Sequence, residues 1–123
     1  MALRLPASLR VFDGSVRTIV LNNLRHEEKN NLLYYKVTRA VRLVDQINHA
    51  LYHLNIQSVL VEGGARLLQS FFDAGSWDEA RIITNETRFQ PAGLPAPQPG
   101  VMELSDSFTL LTDTIRFYKP STR

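Results

Sequence analysis

The stretch best suited to chemistry is Val59 to Phe72, VLVEGGARLLQSFF. A buried strand that ends in Glu62, Gly63 and Gly64 and opens straight into a helix would set bare backbone N–H groups at the carboxyl edge of a sheet. The positive end of a helix dipole would lie beside them. That edge is where open α/β sheets bind ligands. Glycine suits such a turn, because any Cβ would hold a phosphate away from the main chain and because the turn can demand positive φ. Arg66 falls in the first helical turn and opposes the dipole, so a bound anion would relieve a charge placement worth ~0.3–1 kcal/mol. Each feature also has a plainer reading. Arg66 suits a solvated surface, and tight strand-to-helix turns use glycine for packing alone. Glu62, if buried, needs donors either from a heterocycle's amide or amine edge or from a neighbouring arginine. Neither the G-x-G-x-x-G pattern nor a P-loop is present.

Other chemistry-bearing groups carry less. His49 and His53 stand at i and i+4, a spacing that can chelate zinc from one helix face. They lie roughly opposite the apolar stripe, and no Glu fills the position between them that metalloprotease chemistry requires, so they read as exposed histidines and no metal is expected. Asp78 and Glu79 are adjacent and on an extended chain point to opposite faces, which excludes them as an acid/base pair on one atom. Trp77, Phe71, Phe72, Phe108 and Phe117 fit a core better than a base-stacking platform, since basic residues do not interleave with them. Cysteine is absent, which removes disulfides and catalytic thiols and assigns any redox chemistry to a cofactor.

The elements that must position the glycine turn follow from periodicity. Arg17 to Asn22, RTIVLN, reads as a buried strand ended by Asn22 and Asn23. HEEKNN reads as a charged loop, and Leu32 to Val37 as a weaker strand. From Thr38, the expected N-cap, to Leu54 the residues Ala40, Leu43, Val44, Ile47, Ala50, Leu51 and Leu54 recur at helical spacing. Ser58 to Val61 is a strand pattern, and a second helix follows with Leu67, Leu68, Phe71 and Phe72 inward and Gly75 as its stop. Ala80 to Thr84 completes a strand–helix–strand–helix–strand order that predicts βαβ units and a mostly parallel sheet. Gln90 to Gly100 holds four of the six prolines and is a surface loop. Phe108 to Leu111 and Ile115 to Tyr118 flank Thr112, Asp113 and Thr114 as an antiparallel C-terminal hairpin.

Composition bounds the rest. With 123 residues the chain has one domain's worth of sequence, 1–123, and 44% hydrophobic residues supply a core. A net charge of +2 is too small to argue for nucleic acid or an anionic membrane. No apolar run approaches the ~20 residues that span a bilayer, and no signal-peptide pattern opens the chain, so a cytoplasmic protein is expected.

The run SVLVEGGARLLQSFFDAGSWDEARI, Ser58 to Ile82, closely resembles the C-terminal reductase domain of the bifunctional riboflavin biosynthesis deaminase/reductase. LRLPASLRVFDGSVRTIVLN, Leu3 to Asn22, is similar to the middle of that domain, and TDTIRFYKP, Thr112 to Pro120, to its last strand. The resemblance implies a dihydrofolate-reductase-like fold and NADPH-dependent reduction of 5-amino-6-(5-phosphoribosylamino)uracil to the ribitylamino product. It implies that Glu62 holds the substrate's polar edge and that Arg4 pairs with the substrate's phosphate. It also implies that the backbone of Gly63, Gly64, Ala65, Arg66, Leu67 and Leu68 receives the cofactor's pyrophosphate, with the Ser70 hydroxyl nearby. A homodimer is the expected assembly. No catalytic acid or base is identified. The zinc deaminase half has no counterpart, and the family's opening strand and helix would precede Met1, so an incomplete domain with little activity alone is expected. The alternative is a noncatalytic α/β module of the same fold that uses its edge for self-association or binding.

Overall fold

The computed structural model describes residues 5–121. The chain forms two compact units, one ending at Val59 and one beginning at Leu60. Each is an α/β unit with one helix and one three-stranded sheet.

In the first unit a 3-10 turn at Arg10–Phe12 leads into β1 (Thr18–Asn22), β2 (Glu27–Lys29), β3 (Leu32–Lys36) and α1 (Leu43–His53). Strand β3 lies in the middle, parallel to β1 and antiparallel to β2. The expected strands at Arg17 to Asn22 and Leu32 to Val37 are both present. Strand β2 occupies the segment expected as a charged loop. Its residues Glu27, Glu28 and Lys29 are all exposed, as an edge strand allows, since charge on an edge blocks pairing with other chains. Periodicity cannot reveal such a strand because it buries nothing. The core of this unit is Leu33, Val37, Val44, Ile47 and Ala50, the apolar stripe of α1 among them.

Helix α1 starts later than its periodicity suggests. Thr38 does not cap it. Instead, the Gln46 side chain reaches back, accepting from the Thr38 N–H at 2.7 Å and donating to the Thr38 and Val41 carbonyls at 3.0 and 2.8 Å. Those bonds hold 38–41 as an ordered lead-in, and Arg42 becomes the N-cap. The helix closes with Asn55 at φ 55. The Asn55 N–H donates to the Tyr52 carbonyl and the Ile56 N–H to that of Leu51, a Schellman arrangement.

The most buried side chain is Asn22, 1% exposed at the end of β1. Its Nδ2 donates to the carbonyls of Val20, Arg25 and Tyr35, and its Oδ1 accepts from the N–H groups of Leu24 and Arg25. Beside the 3-10 turn, the Ser15 hydroxyl and N–H donate to Asp13 and hold its carboxyl below the usual aspartate range. A depressed folded-state pKa contributes stability above the unfolded value and loses it as pH falls through the folded one. Ser15→Ala should therefore move the Asp13 carboxyl back toward its ordinary range in an NMR titration; an unchanged titration would remove the hydroxyl as the main cause.

The second unit contains α2 (Ala65–Asp73), β4 (Ala80–Asn85), β5 (Met102–Leu110) and β6 (Asp113–Pro120). Strand β6 is central and pairs antiparallel with both neighbours. The C-terminal hairpin is present and longer than expected, with Leu111 at φ 57 in its two-residue turn and an irregularity between Leu104 and Asp106. Gly75 ends α2 as expected: at φ 62 it donates to the Phe72 carbonyl, and the Ser76 N–H donates to that of Phe71. Of the four α2 residues expected inward, Phe71 is buried, while Leu67, Leu68 and Phe72 are half-buried. Gln69 ties the proline-rich loop to the helix, accepting from the Gln98 N–H at 2.8 Å and donating to the Gln98 carbonyl at 3.0 Å.

The mostly parallel sheet is not what forms. Among the described residues β1 and β3 make the one parallel pair, and β2–β3, β4–β6 and β5–β6 are antiparallel. The expected strand at Ser58 to Val61 is the reason. It runs without a ladder partner among the described residues, so the βαβ unit through α2 lacks its first strand. Val59 and Leu60 are 52% and 80% exposed rather than buried.

Candidate functional site

The strand-to-helix junction keeps part of its expected geometry. Glu62, Gly63 and Gly64 are all exposed, so the cost of burying an unpaired carboxylate does not arise at Glu62. Nor does the salt-bridge reading hold: no ion pair or hydrogen bond engages Glu62 among the described residues. Its carboxylate is available to an incoming donor.

Gly63 has φ +92, which side chains adopt only with strain. Gly64 is the N-cap of α2 and no side chain caps this helix. A Cβ on either glycine would meet no atom within 4 Å, so packing within the chain does not demand glycine at 64. What a Cβ there would obstruct is the approach to the open backbone. The Gly64 carbonyl accepts from the N–H groups of Leu67 and Leu68 at 2.9 and 3.3 Å. This narrows the expected cradle: the amides of Leu67 and Leu68 are already engaged, whereas those of Gly64, Ala65 and Arg66 have no acceptor among the described residues. These amides point along the positive end of the helix dipole and can take a phosphate oxygen without displacing a protein partner.

Arg66 is exposed and forms no ion pair among the described residues. The Ser70 hydroxyl donates to the Arg66 carbonyl at 2.8 Å, turning back along its own helix and leaving only its lone pairs for a ligand. Arg4 lies outside the described residues. Two shallow depressions, of about 310 and 350 Å³, occur in the first unit. Tyr35, Lys36, Gln46 and His49 help to line one, and Asp13, Arg25, Glu27 and Lys29 the other. Neither includes any residue of the glycine junction. Sequence reading assigned no binding role to these side chains, and no spacing signal unites each set, because its members come from separate elements: β3 and α1 for one, the 3-10 turn, the β1–β2 turn and β2 for the other.

The family model described as the RibD C-terminal domain matches residues 1–85. The chain belongs to this family. RibD C-terminal domains are reductase-family enzyme domains of riboflavin biosynthesis, which agrees with the resemblance carried by Ser58 to Ile82. The match takes in β1 to β4 and the whole glycine junction, and it ends at Asn85, so the hairpin β5–β6 lies beyond it. No curated protein and no solved structure matches the chain. Among the described residues no helix is long and apolar enough to cross a membrane.

Proposed function

We propose that this RibD C-terminal domain serves the NADPH-dependent reduction of 5-amino-6-(5-phosphoribosylamino)uracil to its ribitylamino product, on a dihydrofolate-reductase-like fold. The observation that carries the reading is the uncapped N-terminus of α2, with free amides at Gly64, Ala65 and Arg66 beside an unpaired Glu62. The glycine cradle fits a diphosphate, since its open side is the one a Cβ would occupy. NADPH, when bound, supplies the hydride that reduces the sugar C1′. The protein's own part is positioning: the amides after Gly63 hold the diphosphate, Arg66 neutralises its charge, and Glu62 accepts from the amino and amide edge of the pyrimidine. Arg4 takes the substrate phosphate. The proton that accompanies the hydride needs a donor, a role assigned to none of these residues.

Titrating the intact chain with NADPH tests the reading directly. Saturable binding is expected, with at most slow consumption of NADPH when the pyrimidine ribotide is added to this chain alone. A folded chain that binds no NADPH at millimolar concentration would sink it.

Arg66 provides a check in which stability and binding move in opposite directions. Arg66→Glu replaces a cation at a helix N-terminus by an anion, which should raise stability by up to about 1 kcal/mol and Tm by a few degrees. NADPH affinity should fall about tenfold, through loss of one charge-assisted contact and gain of a repulsion. Calorimetry and ligand titration on the same samples read both, and unchanged affinity would remove Arg66 from the site.

One observation favours a second reading, a noncatalytic module that self-associates. On the sheet of the second unit Ile83 and Phe108 flank Ile115 in cross-strand register, and Leu110 lies on the same face; Ile83, Phe108 and Leu110 are exposed. A homodimer through this face would cover them. Sedimentation showing a stable oligomer without cofactor affinity would favour the module over the reductase.

A further inference from the structure

Helix α1 carries a second group of chemistry-bearing side chains, independent of the glycine junction. His49 and His53 stand one turn apart and are both exposed. Their rings do not splay into solvent as two isolated surface histidines would. The Nε2 atoms lie 3.0 Å apart and the ring centroids 4.2 Å apart. At that separation the N–H of one ring donates to the lone pair of the other, so both rings already turn Nε2 toward a common point. We propose that this pair binds one divalent transition-metal ion, ligated by both Nε2 atoms, with the donor ring moving its proton from Nε2 to Nδ1 so that each neutral ring offers an Nε2 lone pair.

The spacing selects among metals. With metal–nitrogen distances of ~2.0–2.1 Å, an Nε2 separation of 3.0 Å corresponds to an N–metal–N angle of about 94°. That is the cis angle of a square-planar or octahedral site, whereas tetrahedral zinc would require the nitrogens to open to about 3.3 Å. Copper(II) and nickel(II) therefore fit the pair as it stands, and both accept imidazole readily. No group of three or more ligating side chains occurs among the described residues, so the protein supplies two donors and water fills the remaining positions. Asp45, one turn before His49, does not make a third donor, because Arg42 grips its carboxylate at 2.9 and 3.1 Å.

The end of the helix favours a cation at this site. His53 is the last residue of α1, where the helix dipole places partial negative charge. Tyr52 stands edge-on to the His53 ring, with centroids 5.6 Å apart. Because the two donors are one turn apart on a helix, binding also stabilises the last turns of α1 against fraying.

Calorimetric titration of the full chain with copper(II), nickel(II) and zinc(II) salts in a non-chelating buffer tests this. One ion per chain should bind, in the order copper, nickel, zinc. His49→Ala and His53→Ala should each weaken binding about 100-fold, because either change turns a chelate into a single ligand. Both positions are exposed and alanine favours helix, so the variants should fold. His26→Ala should bind as the parent does. Nickel should raise the Tm of the parent and of the His26 variant, and leave the His49 and His53 variants unchanged. Absence of binding at millimolar nickel, or binding that survives loss of either helix histidine, overturns the proposal.

Discussion

Asn22→Ala should lower the unfolding free energy by about 3 kcal/mol, a large share of the 5–15 kcal/mol that holds a domain together. The amide at 22 is buried and does the work of a short piece of backbone. Its oxygen satisfies the N–H groups of Leu24 and Arg25, and its nitrogen serves the carbonyls of Val20, Arg25 and Tyr35. Alanine leaves both N–H groups without an acceptor where water has little access, at about 1–3 kcal/mol for each unsatisfied group. Urea denaturation reads the loss as a midpoint falling by about 1 M or more. The adjacent residue supplies the contrast: Asn23 Oδ1 is buried with no partner among the described residues. Removing an unsatisfied oxygen should cost little, so Asn23→Ala should stay within about 0.5 kcal/mol of the parent or exceed it. Equal losses at 22 and 23 would show that the network is not what stabilises the turn.

Asn22→Asp extends the same argument to pH. The carboxylate keeps an acceptor for Leu24 and Arg25 but turns an anion toward three carbonyl oxygens, and burial with that repulsion raises its pKa. A group whose folded pKa is raised contributes its full stability below the unfolded value, about 3.9 for aspartate, and loses it as pH rises through the folded value. The variant should therefore fall further below the parent at neutral pH than under acid conditions.

Gly64→Val should weaken NADPH binding about 100-fold, close to 2.7 kcal/mol. A Cβ at 64 meets no protein atom within 4 Å, so on the fold side the cost lies in the backbone, which must turn from φ −13 to a more negative angle, and in a poorer N-cap. On the binding side the branched side chain stands over the free amides of Ala65 and Arg66. Gly63 should behave differently. Its φ of +92 makes Gly63→Ala a backbone strain of about 1–2 kcal/mol, so stability falls whatever happens to binding. Fluorescence titration with NADPH alongside thermal melts distinguishes the pair. A Gly64→Val protein that binds NADPH as the parent does would show that the diphosphate does not sit at this junction.

The sequence by itself determined what local chemistry encodes. The apolar stripe Val44, Ile47 and Ala50 specified a helix because positions three and four apart share a face, and Gly75 specified its neighbour's end because a left-handed C′ residue closes the last turn of α2. Thr112 and the alternation of Ile115 with Phe117 specified the hairpin, and VEGG within SVLVEGGARLLQSFF specified the family. Only the tertiary structure decided which segments find partners and which side chains are buried. An apolar run at Ser58 to Val61 states what burial would stabilise, not that a strand lies beside it, and there Leu60 remains exposed. Glu27 to Lys29 pairs as an edge despite a sequence with nothing to bury. Asn22 looked like one of two turn asparagines until the carbonyl of Tyr35, thirteen residues away, proved to share its amide. His49 and His53 were interchangeable with any exposed pair until rotamers brought their nitrogens together. In each case the deciding term is a contact between groups distant along the chain or a side-chain torsion, and neither leaves a periodic trace in the order of residues.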